Sequence, residues 1–258
     1  MYTKGLKGIF IMILMFGLVI PTSLVLGETN EKKATSYGSI YFEVDDSPTD
    51  PLDPTDPSQP VEPEKPGQKG PLSLDFVSSL DFGTQEISKE DRVYYATTQQ
   101  IKQQNTGVVK QVPHYVQVTD KRGQDDGWIV QVRQNGPLKA ATSKYPVLTG
   151  AIITWNSPKS VSVFKTEEND VEVFPIELNE NGVASTVMNA KAYHSFGTWL
   201  SVYGEETSLT SVVEKTPQGN RMRKINPAVS LFVPGKTPKD AAKYYTSLTW
   251  ELSSVPVE

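Results

Sequence analysis

The chain has 258 residues, a formal net charge of −5, two histidines and no cysteine. That length suits one large domain or two small ones. The missing cysteine excludes a disulfide framework and a lipid-carrying cysteine at a cleavage site, and the acidic balance lacks the basic footprint that nucleic-acid binding needs.

Residues 1–27 have the form of a secretory signal peptide. Lys4 and Lys7 make a basic start, Ile9 to Ile20 is apolar apart from Gly17, and Val25, Leu26 and Gly27 put a small residue before Glu28. The apolar run is shorter than the ~20 residues of a spanning helix, so cleavage is expected to leave no transmembrane segment. Cleavage removes two positive charges and leaves −7. The C-terminus shows no covalent cell-wall sorting signal. The expected product is released, or held on the surface non-covalently. A secreted chain without disulfides relies on a hydrophobic core and fits a bacterial exterior.

Residues 28–46 form an N-terminal segment. Within "SYGSIYFEVDD", Ile40, Phe42 and Val44 alternate with Tyr41, Glu43 and Asp45, which predicts a short strand over residues 36–45. A lone strand is unstable in water, so this one needs a sheet, its own or a partner's.

Residues 47–71 read "SPTDPLDPTDPSQPVEPEKPGQKGP". Pro48, Pro51, Pro54, Pro57, Pro60, Pro63 and Pro66 fall every third residue. Polyproline II has three residues per turn, so the prolines stack on one edge of an extended rod about 60 Å long, with Asp50, Asp53 and Asp56 repelling one another on a second edge. Such a rod is longer than the body that follows. It is expected to be a spacer, or to bulge away from the surface if both ends belong to one domain. Ligands along one edge cannot surround a calcium ion.

Residues 72–258 alternate in the manner of strands. Leu72, Leu74 and Phe76 share one predicted face; so do Val116 and Val118, with Tyr115 and Gln117 opposite. Trp128, Val130 and Val132 align, as do Ala151, Ile153 and Trp155. Val171 and Val173 precede a proline, which points to an edge or a bend. Trp199, Ser201 and Tyr203 oppose Leu200 and Val202, and Leu248, Trp250 and Leu252 align near the end. Turn clusters such as "RGQDDG", "RQNGP" and "NENG" separate these runs. The fold class is all-β, a sandwich or barrel-like single domain of mostly antiparallel strands. One brief helix is expected from Thr237-Pro238 to about Tyr245.

Little in the chain points to catalysis. His114 and His194 have no ligand partner at close spacing, so no metal site and no cofactor is expected. No nucleophile–base arrangement and no phosphate loop is present. Paired carboxylates for glycoside hydrolysis remain a residual option. Tryptophan stands out instead. Trp128 and Trp250 each precede an aliphatic residue by two, and i and i+2 share a strand face. Each pair forms an aromatic–aliphatic ridge, either a core anchor or an exposed platform for a glycan. Trp155 and Trp199 are secondary candidates under the same two readings.

The ordered set "GPLSLDFVSSLDFGTQEIS", "VQVTDKRGQDDGWIVQV", "LTGAIITWNSP", "ASTVMNAKAYHSFGTW" and "VSLFVPGKTPKDAAKYYTSLTWELSSVP" resembles the WxL cell-surface domain of low-GC Gram-positive bacteria, from about residue 35 to 258. "Trp250-Glu251-Leu252" is similar to its second signature. The first reads Trp128-Ile129-Val130, with valine where the family has leucine. The resemblance implies a secreted, non-catalytic protein held non-covalently on the Gram-positive cell wall through peptidoglycan or another wall glycan. It also implies other cell-surface proteins as partners, membrane-anchored ones included. The binding candidates are Trp128, Val130, Trp250 and Leu252.

Overall fold

The computed structural model describes residues 32–63, 67–123, 126–167, 169–194, 196–216 and 218–255. The expected signal peptide, 1–27, lies outside them. The chain divides into two units, residues 1–42 and 43–258. In the first, residues 32–42 carry neither helix nor strand and are exposed throughout.

The second unit is built from strands, taken here in chain order. They are β1 (Leu52–Asp53), β2 (Asp56–Pro60), β3 (Leu72–Val77), β4 (Arg92–Thr97), β5 (Gln99–Lys102), β6 (Val109–Val112), β7 (His114–Asp120), β8 (Gly127–Gln134) and β9 (Ile152–Trp155). There follow β10 (Pro158–Val161), β11 (Glu172–Val173), β12 (Ile176–Leu178), β13 (Ser185–Ala190), β14 (Gly197–Tyr203), β15 (Thr210–Thr216), β16 (Gly219–Val233) and β17 (Leu248–Val255). All pairings among the described residues are antiparallel, in three larger sheets and two hairpins, with no closure into a barrel. The larger sheets run β10-β14-β7-β3, β11-β13-β8-β17 and β12-β9-β16-β15, with β4 also on β16. Each sends side chains into one core: Val116, Val118 and Trp199 from the first, Trp128, Val130 and Met188 from the second, and Ile153, Trp155 and Val229 from the third.

Strand β7 is buried from end to end, because both of its faces are covered. Its even-numbered face joins the main core. On the other face Tyr115 joins Leu200, Val202, Val61, Ile101 and Val112 in a second cluster, with Phe76 stacked on the Tyr115 ring at 4.4 Å. The β5–β6 hairpin and the proline tract supply the cover. The tract is therefore neither a polyproline rod nor a spacer over residues 52–60. Leu52 pairs with Pro60 and Asp53 with Asp56. Gln117, buried on β7, accepts the Leu52 N–H at 2.8 Å and donates to Asp50 O at 3.1 Å. The tract leaves and rejoins the body at one place, where Gly70 N donates to Asp46 O at 2.9 Å. Prolines every third residue bias the chain to extended angles. Tertiary hydrogen bonds and buried apolar surface then fold that extended chain back on itself.

Three other expectations meet corrections. Residues 36–45 form no strand, and Ile40, Phe42 and Val44 are exposed, since nothing among the described residues pairs with them. In β3 a bulge at Asp75 shifts the register between Leu74 and Phe76. Phe76 therefore turns to the second cluster while Leu72 and Leu74 stay on the main core. The helix expected at 237–245 does not form. Thr237 Oγ1 is taken by Thr149 O, the Asp240 carboxylate by the N–H groups of Lys144 and Tyr145, and the backbone of Tyr245 by Lys139. Pro175 behaves as expected: the chain breaks there, leaving β11 at the edge of one sheet and entering β12 at the edge of another.

Candidate functional site

The two tryptophan strands are neighbours. β8 and β17 pair antiparallel, setting Trp250 opposite Val132, Leu252 opposite Val130 and Ser254 opposite Trp128. Alternation along both strands turns all these side chains to one face. That face meets the core at every one of these positions except Ser254, which is exposed. Trp128 and Val130 are fully buried, and so are Trp155 and Trp199. These four offer no surface on which a sugar could stack, which corrects the platform reading for them. Trp250 and Leu252, on the outer strand, are half-buried against the same core.

An aromatic chain leads inward from the edge. Trp250 meets Trp155 edge-on at 5.7 Å, and Trp155 meets Tyr203 at 5.0 Å and His114 at 5.6 Å. Backbone holds two of the interior polar tips: Tyr203 Oη donates to Phe174 O, and Trp199 Nε1 to Phe196 O, each at 3.1 Å. His114 belongs to this interior. Asn226 Nδ2 donates to Tyr203 O, and its Oδ1 accepts from Ala228 N. The amide therefore presents N–H to His114 Nδ1, 3.1 Å away, which assigns the ring proton to Nε2. Burial drops the His114 pKa to about 4, so the ring is neutral and structural.

Beside Trp250 lies a groove of about 1160 Å³. Its apolar walls include Leu80, Phe82, Tyr94, Leu231, Tyr244 and Leu248, and Arg221, Lys239, Lys243, Asp81, Glu86 and Asp240 also line it. One wall is the 78–87 segment. It is tied to β15 by the Thr84 N–H, which donates to Glu214. Glu214 is itself buried and paired with Arg221, and that pairing leads the interactions holding its carboxyl below the ordinary range. The facing wall is the irregular 239–246 segment, fixed through Asp240. Sequence reasoning singled out only Trp250 in this groove. Leu80 and Phe82 carried a usable signal, an apolar alternation running on past β3. The 239–246 wall carried none, because its shape comes from contacts made far along the chain. Among the described residues no group of three or more metal-ligating side chains is present, and no helix is long and apolar enough to cross a membrane.

Fold and site together define a class: an all-β module whose Trp-x-aliphatic motifs sit on paired strands next to a groove. A family model for the WxL domain, described as a surface cell wall-binding domain, matches residues 29–256. The chain belongs to the WxL domain family. No curated protein and no solved structure matches it.

Proposed function

We propose that this chain is a secreted, non-catalytic protein that attaches non-covalently to peptidoglycan or another wall glycan, and that the groove beside Trp250 is where it does so. Family membership supports wall binding. The observation that carries the choice of site is the partly buried Trp250 lining the groove. It is the one signature tryptophan with free surface, and a sugar ring can lie its C–H edge on such a face. Trp128, Val130 and most of Leu252 act by holding β8 and β17 together beneath it.

The test is co-sedimentation of the mature protein with purified peptidoglycan, beside Trp250→Ala and Trp128→Ala, with a thermal melt for each. Trp250→Ala is expected to lose pelleting with a small fall in Tm. Trp128→Ala is expected to melt far lower. Pelleting that survives in a folded Trp250→Ala protein would move the wall contact elsewhere. Release of reducing ends from the wall would overturn the non-catalytic reading.

A second reading takes the protein as an interaction module for other surface proteins, including membrane-anchored ones. It is favoured by the exposed alternating segment around Ile40 and Phe42. Deletion of residues 36–44 would then abolish capture of such a partner and leave Tm nearly unchanged.

A further inference from the structure

Strand β17 is the outermost strand of its sheet, and its far edge has no strand partner among the described residues. The register shows which backbone groups lie open. Asn135 N donates to Ser247 O at 2.9 Å, and this pair continues the ladder in which Leu248 faces Gln134. Hydrogen-bonded and non-hydrogen-bonded pairs alternate in an antiparallel ladder. Thr249, Glu251 and Ser253 therefore use their backbone groups on β8. Leu248, Trp250, Leu252 and Ser254 turn theirs outward. The signature strand thus offers four residues' worth of N–H and C=O groups to any strand laid beside it, along an edge that borders the apolar groove.

The same chain carries an apolar segment that pairs with no strand among the described residues. From Tyr37 to Val44 it carries neither helix nor strand, and Tyr37, Ile40, Tyr41, Phe42 and Val44 are all exposed, Phe42 at 79%. Five large apolar side chains in eight residues is a dense exposed patch for a secreted protein. The segment makes no strand among the described residues, although its root is fixed: Lys121 Nζ holds the Asp45 carboxylate at 2.8 Å and Ser47 O at 2.7 Å. Its eight residues match the eight of β17. Ile40, Phe42 and Val44 fall on one face, which an added strand would turn toward the groove. Glu43 on the arm and Lys243 at the groove are each without an ion-pair partner among the described residues.

We propose that residues 37–44 of one copy add as an extra strand to the β17 edge of a second copy, with Ile40, Phe42 and Val44 entering the groove beside Trp250. Every chain brings both a donor strand and an acceptor edge. The contact is heterologous unless two copies exchange arms reciprocally, so it yields either a closed dimer or a string of copies. Main-chain hydrogen bonds supply the affinity and the alternating side chains the specificity.

The experiment uses the mature full chain without wall material, so that its outcome is separate from that of wall binding. Sedimentation is measured over a range of concentrations, with amide hydrogen exchange read at Trp250 and Leu252. Association is expected to rise with concentration, and these two amides to become protected in step. The double variant Ile40→Asp, Phe42→Asp is expected to stay monomeric with an unchanged Tm, because both side chains are exposed in the single chain. A synthetic peptide of residues 36–46 added to that variant is expected to restore the protection. Protection independent of dilution would mean that the arm closes its own edge, and would overturn the proposal. So would a variant that associates like the parent, or a parent that stays monomeric while the peptide still protects β17, which would leave the edge to a different protein.

Discussion

Asp53 shows how one buried charge holds an otherwise extended tract. Its side chain is fully buried and accepts from Thr55 N, Thr55 Oγ1 and Gln103 Nε2, with Lys110 Nζ at 2.9 Å. Burial acts to raise its pKa, but the hydrogen bonds from Thr55, Lys110 and Gln103 outweigh it and leave the carboxyl below the ordinary range. Removing one partner strands the other, so Asp53→Ala is expected to lose about 3 kcal/mol in urea denaturation. His114 sets a second expectation. Its folded pKa of about 4 lies below the ordinary 6.5, so the unfolded chain takes up the proton first. Stability from His114 is complete above pH 6.5 and is lost as the pH falls toward 4, amounting to about 3 kcal/mol. Asp53 adds a further loss below that window. Asp75, whose pKa burial raises, works in the opposite direction. The His114 contribution is isolated by comparing denaturation between pH 7 and 4 in the parent and in His114→Gln, where the slope over this window should flatten.

At the scale of elements, the β8–β17 pair depends on unequal tryptophans. Trp128 lies wholly inside, and truncating such a residue leaves a cavity, so Trp128→Ala is expected to lower stability by about 4 kcal/mol. Trp250→Ala should lose less than half as much, since Trp250 is only partly buried. Gly127, the first residue of β8, adds a backbone constraint. A Cβ there would collide with Ala190 O on β13. Two paired backbones cannot part without breaking the ladder, so Gly127→Ala should cost about 2 kcal/mol, seen as a lower Tm with β13 amides exchanging faster. The alternations at Val116, Trp128, Ile153 and Leu248 were legible because each strand has one face on the main core. The Phe76 face was not legible. A bulge adds one residue to one strand, and local hydropathy carries no mark of it.

For the molecule as a whole, the tract matters as a cover. Residues 52–61 help to shield Tyr115, Leu200 and Val202 on the second face of the β7 sheet. An inert spacer could be replaced at will. Here, substituting a Gly/Ser segment of equal length for residues 50–61 should expose that face, lower Tm and increase binding of a hydrophobic dye. Limited proteolysis of the parent should likewise spare Pro51 and Pro54, which are buried. No change in Tm on replacement would restore the spacer reading.

The sequence by itself determined the all-β class, the main-core strand runs around Val116, Trp128, Ile153 and Leu248, the break at Pro175 and the family, because alternation, turn residues and ordered motifs are local properties of the chain. Only the tertiary structure decided that Trp128 and Trp250 stand on adjoining strands, which of them is buried, that Asp240 ties down a groove wall instead of opening a helix, and that the proline tract folds back onto β7. Each of these turns on which distant residue supplies the hydrogen-bond partner or the apolar neighbour, and a pattern read along the chain does not contain that information.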